Sequence, residues 1–311
     1  MKNILTVEIS EGLGNQLFMY SHAYALSKKL NYELLIDNTS GYSKNKNKLR
    51  KHQMFMLDKF NINNSYATPD LKFDTTIKYL FKKVFIFFDN FKSKKYFIIE
   101  KIKKKNNKKE AETFINIDKT KISSSIYVQG NFENYKYFES LRNNLVEILA
   151  VKNEHVDLNN PIIDKLKKTN SVSIHIRKNR YSDQKKLSIN NQFNERSKIF
   201  TNQIIEYVNK SIDYFKNNLS NPTFFIWSND FTNFDEILNK LKITNYELVN
   251  TNDAIRDFDL FKYSKNFIVG PSSFHWWGAW LNENPNKICL RPANINPSNN
   301  NNFWPDNWIK I

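Results

Sequence analysis

The sequence predicts an α/β protein with two Rossmann-like lobes, each built on a doubly wound parallel sheet, that face each other across a cleft. Short β-branched and apolar runs alternate with helical patterns along most of the chain, and this alternation is typical of parallel sheets. The pattern restarts after a seam near residues 150–170, and 311 residues suffice for two medium-sized domains. We therefore predict a first lobe at 1–160, a second lobe at 161–290 and a C-terminal tail at 291–311.

The individual elements follow from the spacing of the apolar residues, which is two in strands and three or four in helices. In the first lobe we predict a strand at 4–9, a helix at 16–30, a strand at 32–37, a basic insertion at about 70–110, a strand at 125–129 and a helix at 137–149. In the second lobe we predict helices at 161–168, 200–215, 234–241, 257–262 and 273–281, and strands at 171–176, 223–228, 246–249, 266–269 and 287–290.

A glycine turn joins the first strand to the first helix. Gly12 and Gly14 are two of only six glycines in the chain, and Asn15 follows them directly. A strand, a glycine turn and a helix together allow backbone N–H groups to approach an anionic ligand, with the Asn15 amide reaching the same ligand. The same spacing is equally consistent with a structural turn in which Asn15 is the helix N-cap.

The net charge of +16 is concentrated in residues 78–109, which contain twelve lysines and two acidic residues interleaved with aromatic side chains. We expect a helical insertion whose phenylalanine face packs on the core and whose lysine face is solvated. The alternative is a segment that docks on an anionic membrane surface. No helix-turn-helix, zinc-finger or RNA-binding motif accompanies the charge, so no nucleic-acid partner is predicted.

Hydropathy and cysteine content limit the cellular location of the protein and the kinds of metal site and disulfide it can contain. No apolar run is long enough for a transmembrane helix, and the N-terminal residues lack the pattern of a signal peptide. The single cysteine, Cys289, excludes an intramolecular disulfide and a cysteine-rich metal site. We predict a cytoplasmic protein, peripheral at the inner face of the membrane if residues 78–109 dock there.

Two segments of the second lobe place cations and hydroxyl groups at strand ends, where ligands bind in open α/β sheets. His175 and Arg177 end one predicted strand, and the Arg177 guanidinium suits a diphosphate. Ser272 and Ser273 follow another strand and begin a helix, which is the arrangement of a phosphate nest. The alternatives are a basic surface turn with a packed His175, and a serine that only caps the helix.

Asp257 and Asp259 form an Asp-x-Asp pair of the kind that holds a divalent cation in many nucleotide-sugar enzymes. Because the pair opens a predicted helix, we favour Asp257 as an N-cap and Asp259 as a charge that complements the helix dipole. No other cluster of His, Asp and Glu has the spacing of metal ligands, so no metal is predicted.

Several blocks together resemble the bacterial α-1,2-fucosyltransferases of glycosyltransferase family 11. The first block, at 12–18, reads Gly-Leu-Gly-Asn-Gln-Leu-Phe. Residues 173–177 are similar to the family's His-x-Arg-Arg-Gly-Asp-Tyr motif, and residues 225–230 to its Phe-Ser-Asp-Asp block. The stretch at 268–281 contains Ser-Ser-Phe-His-Trp-Trp-Gly-Ala-Trp-Leu and is nearly diagnostic. The matches run in the family's order along most of the chain.

The resemblance implies a GT-B fold, a GDP-β-L-fucose donor, inversion at the anomeric carbon and no required metal. The implied acceptor is O2 of a galactose-like residue in a bacterial surface glycan, as in lipopolysaccharide or capsule. The resemblance implies that Arg177 binds the β-phosphate, with Lys178 beside it, and that His175, Ser272 and Ser273 support it. It also implies that the first-lobe turn of Gly12, Gly14 and Asn15 covers the donor, and that Asp230 and Asp259 lie near the nucleoside. Candidates for the general base are Glu11, His175 and Asp37.

The chain also departs from the family pattern. Lys178 replaces the second arginine, Asn179-Arg180 replaces Gly-Asp, Glu11 replaces a glycine and His275 replaces a serine. These changes bear on the donor sugar and acceptor more than on the fold. Three alternatives therefore stay open: transfer of another GDP-linked deoxy sugar, a metal-dependent GT-A enzyme that uses Asp257 and Asp259, and a non-catalytic protein that binds glycans or membranes.

Overall fold

The computed structural model describes residues 2–43, 54–63, 65–105, 108–111, 115, 117–178, 180–181 and 191–311. The chain forms two compact units, the first comprising Met1–Leu149 with Ser298–Pro305 and the second comprising Ala150–Pro297 with Asp306–Ile311. The predicted tail at 291–311 is therefore divided between the units: Ser298–Pro305 belong to the first unit, and the rest, with Arg291 in one strand and Ile309–Lys310 in another, belongs to the second. The boundary between the lobes lies at 149/150 and not at the predicted 160/161.

The first unit contains a four-stranded parallel sheet and an antiparallel hairpin. Its elements in chain order are β1 (Ile4–Glu8), α1 (Leu13–Leu30), β2 (Glu33–Asp37), α2 (Ser40–Ser43), α3 (Thr76–Asp89), β3 (Lys95–Ile99), β4 (Ile102–Lys105), β5 (Lys108–Ala111), β6 (Ile122–Gln129) and α4 (Arg142–Ile148). The strand order is β2-β1-β6-β3, all parallel, and β4 pairs with β5 in the hairpin.

The second unit contains a six-stranded parallel sheet. Its elements are α5 (Pro161–Lys168), β7 (Asn170–Ile176), α6 (Asn191–Asn218), β8 (Pro222–Ser228), α7 (Asp235–Leu238), β9 (Tyr246–Leu248), α8 (Ala254–Leu260), β10 (Asn266–Ile268), α9 (Ser273–Leu281), β11 (Cys289–Arg291) and β12 (Ile309–Lys310). The strand order is β12-β11-β10-β7-β8-β9. The prediction of two α/β units, each built on a parallel sheet, is confirmed.

Helix α6 shows how the second unit forms its core. Its buried residues Ile204, Val208, Ile212 and Phe215 recur at spacings of four, four and three, so they form one apolar stripe. The stripe belongs to the same core as the central strand β7, whose residues are almost all buried. Parallel strands covered on both faces are buried along most of their length, as β7 and β8 are. In β8 residues 224–227 are continuously apolar, whereas β7 alternates apolar residues with the buried polar side chains of Ser171, Ser173 and His175.

The basic insertion differs from the expectation in two ways. It is helical only over Thr76–Asp89, because Lys95–Ile99 forms strand β3 at the edge of the first sheet. The expectation that its phenylalanines pack on the core holds for Phe73 and Phe97, which are buried, but is wrong for those of helix α3. The buried positions of α3 are the charged residues Lys82 and Asp89, and its phenylalanines face solvent.

A buried ionic network fixes this orientation of α3. The Lys82 ammonium lies 2.5 Å from the Glu8 carboxylate at the end of β1, and both side chains are nearly inaccessible to solvent. The Tyr127 hydroxyl donates its single proton to the Asp37 carboxylate at 2.7 Å, and its oxygen also lies 2.9 Å from the Glu8 carboxylate. Burial lowers the pKa of Lys82, and the charge of Glu8 opposes that shift. The pair therefore links α3 to the carboxyl ends of β1, β2 and β6.

We expect Lys82→Ala to lower the free energy of unfolding by about 3–5 kcal/mol, because it leaves the Glu8 carboxylate buried without its cation. Lys83→Ala, at the exposed neighbouring position, is the matched control and is expected to change stability by less than about 0.5 kcal/mol. Urea denaturation of the three proteins measures both effects. Equal stability of the two variants would show that the buried pair does not hold α3.

Candidate functional site

The turn after β1 differs in detail from its predicted form. Helix α1 begins at Leu13, and Gly12 is the N-cap, with an extended backbone conformation. The Gly12 carbonyl accepts hydrogen bonds from the backbone N–H groups of Asn15 at 3.0 Å and Gln16 at 3.1 Å. Asn15 is therefore not the N-cap, and its side-chain amide instead donates to the Glu11 carboxylate.

The turn has an unusual backbone conformation at Glu11 and is held by hydrogen bonds of the Gln16 side chain. Glu11 has a φ of 62°, in the left-handed region where glycine is most easily accommodated, and it occupies the position where a glycine is usual. The buried amide of Gln16 donates to the Glu11 carbonyl at 2.9 Å and to the Met54 carbonyl at 2.6 Å, and accepts from the Met56 N–H at 3.0 Å. The first turn of α1 contains no acidic residue, and the acidic group at this end of the helix is Glu11, one residue before the N-cap, whose carboxylate accepts from the Asn15 side chain.

In the second unit, strand pairing brings most of the predicted residues to one edge of the sheet. Strand β7 lies between β10 and β8, and all three run parallel. The residues that follow these strands therefore share the carboxyl edge: Ser272 and Ser273 after β10, Arg177 and Lys178 after β7, and Asp230 after β8. This is the edge at which ligands bind in open α/β sheets.

Lys178 is held by the loop that follows β8. Its backbone N–H donates to the Asn229 side chain at 2.8 Å, and the Asn229 amide returns a hydrogen bond to the Lys178 carbonyl at 3.3 Å. The Lys178 ammonium donates to the Thr232 carbonyl and lies 3.8 Å from the Asp230 carboxylate. Lys178, Asp230 and Thr232 also line a cavity of about 470 Å³ between this loop and α6. The role of Asn229 was not predicted, because an asparagine after a strand is also an ordinary loop residue.

Arg180 has a structural role that its position in the sequence does not reveal. Its guanidinium donates to the Pro271 carbonyl at 3.0 Å and to the Pro297 carbonyl at 3.1 Å, and lies over the Phe200 ring. This cation therefore ties the segment after β7 to the residue that precedes Ser272. Asn179, the other departure in this motif, lies outside the described residues.

The segment after β10 presents the N-terminus of α9. Ser272 is the N-cap residue, as the alternative interpretation expects, but its side chain makes no capping hydrogen bond. A Cβ atom at Gly270 would lie 2.4 Å from the His175 carbonyl, so only glycine allows this close approach of the segment to β7. Three buried tryptophans (Trp276, Trp277 and Trp280) hold the helix in place.

His175 lies beneath the carboxyl edge as a neutral, buried side chain. Burial and the nearby Arg177 charge lower its pKa to about 3. Its ring centroid lies 5.9 Å from that of Phe274 and 5.7 Å from that of His275. The Nε2 atom of His275 lies 2.9 Å from the Ser173 hydroxyl. So weak a base fits a supporting role beside Arg177 better than removal of a proton.

The other two candidates for the general base differ in their surroundings. The buried Asp37 accepts hydrogen bonds from the Tyr127 hydroxyl and from the backbone N–H groups of Thr39 and Ser40, which is the pattern of a structural carboxylate. Glu11 is partly exposed and its carboxylate accepts from Asn15.

The predicted roles of the Asp-x-Asp pair need correction. Helix α8 begins at Ala254 and its N-cap is Asp253, so Asp257 lies inside the helix. Asp257 accepts from the Thr251 hydroxyl at 2.9 Å, and burial raises its pKa to about 6. Asp259 is buried and its carboxylate lies 2.7 Å from the Lys262 ammonium. Each carboxylate therefore has a local partner in the fold.

The described part of the chain contains no group of three or more His, Cys, Asp or Glu side chains arranged to hold a metal ion. Nor does it contain a helix long and apolar enough to cross a bilayer.

Comparisons with known proteins give one consistent family. The model of Glycosyl transferase family 11 matches residues 4–311. An Escherichia coli alpha-1,2-colitosyltransferase is 29% identical over 315 residues, which cover 99% of each chain. The Escherichia coli O-antigen biosynthesis glycosyltransferase WbnK is 26% identical, over 97% of this chain and 99% of its own.

Two solved structures have weaker similarity. Fucosyltransferase NodZ from Bradyrhizobium superposes with a TM-score of 0.46 at 11% identity, covering 90% of this chain and 93% of NodZ. A mutant of Arabidopsis thaliana FUT1 in complex with GDP superposes with a TM-score of 0.47 at 11% identity, covering 94% of this chain and 71% of FUT1.

The buried histidine cluster generates a prediction about pH. The pKa of His275 is lowered well below 6.5 by burial and by the nearby His175, so the folded state keeps this ring neutral. Its contribution to stability is present above pH 6.5 and is lost as the pH falls, because only the unfolded chain takes up the proton. We expect His275→Ser to reduce the slope of unfolding free energy against pH by about 1 kcal/mol per pH unit just below pH 6, because one proton fewer is taken up on unfolding.

Urea titrations at several pH values measure this slope, and His155→Ser, outside the buried cluster, is the matched control. A slope unchanged by His275→Ser would show that this ring is protonated equally in both states.

Proposed function

The chain belongs to glycosyltransferase family 11, and on this premise we propose that it transfers a deoxy-L-hexose from a GDP-linked donor to a hydroxyl group of a bacterial surface glycan. The expected acceptor atom is O2 of a galactose-like residue, and transfer inverts the anomeric carbon. A lipopolysaccharide O-antigen is the favoured glycan, because one whole-length relative is named for O-antigen biosynthesis. The observation that carries the proposal is the convergence of Arg177 and the N-terminus of α9 at the carboxyl edge of one sheet.

The reaction places negative charge where these groups lie. The acceptor oxygen attacks the anomeric carbon, the bond from that carbon to the β-phosphate oxygen breaks, and GDP leaves with the electron pair. The acceptor proton passes to a base. The Arg177 guanidinium suits the two phosphates of the leaving group. The first backbone N–H groups of α9 add the positive end of a helix dipole. Interactions that strengthen as this charge develops lower the barrier.

We propose that the transfer needs no metal ion. In metal-dependent transferases a divalent cation offsets the charge of the leaving diphosphate, whereas here Arg177 and the α9 N-terminus supply positive charge at one edge, with Lys178, already paired with Asp230, beside them. The surroundings of Asp257 and Asp259 disfavour the metal-dependent alternative, because these carboxylates interact with Thr251 and Lys262.

Fucose and colitose are the two candidate sugars. The resemblance of the sequence blocks favours L-fucose, and the whole-length relative named as an alpha-1,2-colitosyltransferase favours colitose. The two sugars differ by one hydroxyl group, at carbon 3, so a single contact to that hydroxyl could discriminate between them. The altered motif at Lys178 and Arg180 lies beside the proposed donor site and is therefore the region to examine for this contact.

We expect Arg177→Ala to lower kcat/KM for the GDP-sugar by about 100-fold or more while the protein stays folded, because a cation at the leaving group is lost. Arg256→Ala is the matched control, since this arginine lies on α8 and pairs with Asp253 at the surface. Initial rates of GDP release in the presence of acceptor measure both. Near-normal turnover of Arg177→Ala would overturn the proposed site.

The donor is tested by offering GDP-fucose and GDP-colitose with the same galactose-terminated acceptor. We expect one of them to be used at least tenfold faster, with an α-1,2 linkage in the product by NMR. Transfer from neither donor, by a protein that binds GDP, would contradict a deoxy-L-hexose donor.

A further inference from the structure

Helix α3 buries two charged residues and exposes its large apolar side chains, which is the reverse of an ordinary surface helix. Its two fully buried residues, Lys82 and Asp89, are charged. Lys82 pairs with Glu8, and Asp89 accepts hydrogen bonds from the backbone N–H groups of Tyr96 at 2.8 Å and Phe97 at 3.0 Å. These contacts fix the rotation of the helix, so its opposite face always points away from the core.

That opposite face is apolar and exposed, and we call it the aromatic face. Each of its members exposes about half of its surface or more: Ile77, Leu80, Phe81, Val84, Phe85, Phe87, Phe88 and, just after the helix, Phe91. Those on the helix recur at spacings of three and four, so they form one continuous strip. Soluble monomers rarely expose so large an apolar patch without a partner to cover it.

The residues around the aromatic face are basic. Lys83 lies on the helix beside the strip, and Lys92, Lys94 and Lys95 follow its C-terminal end, all exposed to solvent. The only acidic residue from Tyr79 to Ile99 is Asp89, whose side chain is buried. The surface therefore combines large apolar side chains with uncompensated positive charge.

We propose that the aromatic face, with its four surrounding lysines, docks on the surface of an anionic lipid bilayer. The phenylalanines would insert at the boundary between headgroups and acyl chains, and the lysines would contact anionic headgroups. A second copy of the chain fits less well, because an isologous contact would bring the same four lysines of each copy together. This surface lies on the first unit and does not depend on the proposed donor site in the second.

The experiment measures how much of the full chain floats with lipid vesicles, made either of phosphatidylcholine alone or of phosphatidylcholine with about 30% phosphatidylglycerol. We expect binding to the anionic vesicles, weakened at least tenfold by Phe85→Ser/Phe88→Ser and reduced by Lys92→Gln/Lys94→Gln/Lys95→Gln. Leu158→Ser/Ile199→Ser is the matched control for exposed apolar residues, and Lys167→Gln/Lys210→Gln/Lys216→Gln for exposed lysines. Both controls are expected to bind as the wild type does.

Urea denaturation verifies that each variant is folded. The proposal fails if the wild type does not float with anionic vesicles, or if the aromatic variant floats as well as the wild type. Sedimentation velocity tests whether a second copy of the chain covers this face instead. A wild type that is dimeric and does not bind vesicles, together with a monomeric aromatic variant, would assign the face to self-association.

Discussion

The parallel pairing of β7 with both β8 and β10 is the constraint on which the candidate site depends. It converts residues that are far apart in the chain into neighbours at one edge, because parallel strands end on the same side of a sheet. The burial of the apolar residues of these strands, among them Val172, Ile174 and Ile226, stabilises the pairing. Arg180 then ties the segment after β7 to the Pro271 carbonyl, and Gly270 allows the next segment to approach β7 closely. The site is thus a product of sheet topology and two local contacts.

In the first unit, the buried ion pair between Lys82 and Glu8 determines which side chains of α3 are exposed to solvent. Since Lys82 is held by Glu8 and Asp89 by backbone N–H groups, these two charged residues of α3 face inward. The apolar residues must then face outward. The free energy of the buried contacts therefore maintains an exposed apolar surface, which is consistent with a surface retained for interaction rather than for folding.

Most of the fold was predictable because alternating strands and helices leave a strong periodic signal. The orientation of α3 was not, since periodicity identifies two faces but not which one is buried, and a lysine is seldom the buried member. The strand ends that carry Arg177 and Ser272 were predictable for the same reason as the strands. The contacts of Asn229 and Arg180, and the N-cap at Asp253 instead of Asp257, depend on tertiary neighbours and loop geometry that one sequence does not specify.

The central claim is that the carboxyl edge of the second sheet binds a guanosine diphosphate group without a metal. Isothermal titration calorimetry of the full chain with GDP in excess EDTA, compared with UDP, tests it most directly. The account predicts saturable binding of GDP at micromolar concentrations, no measurable binding of UDP, and no change in affinity when Mg²⁺ or Mn²⁺ replaces EDTA. Binding of GDP only in the presence of a divalent cation, or no binding under any of these conditions, would contradict it.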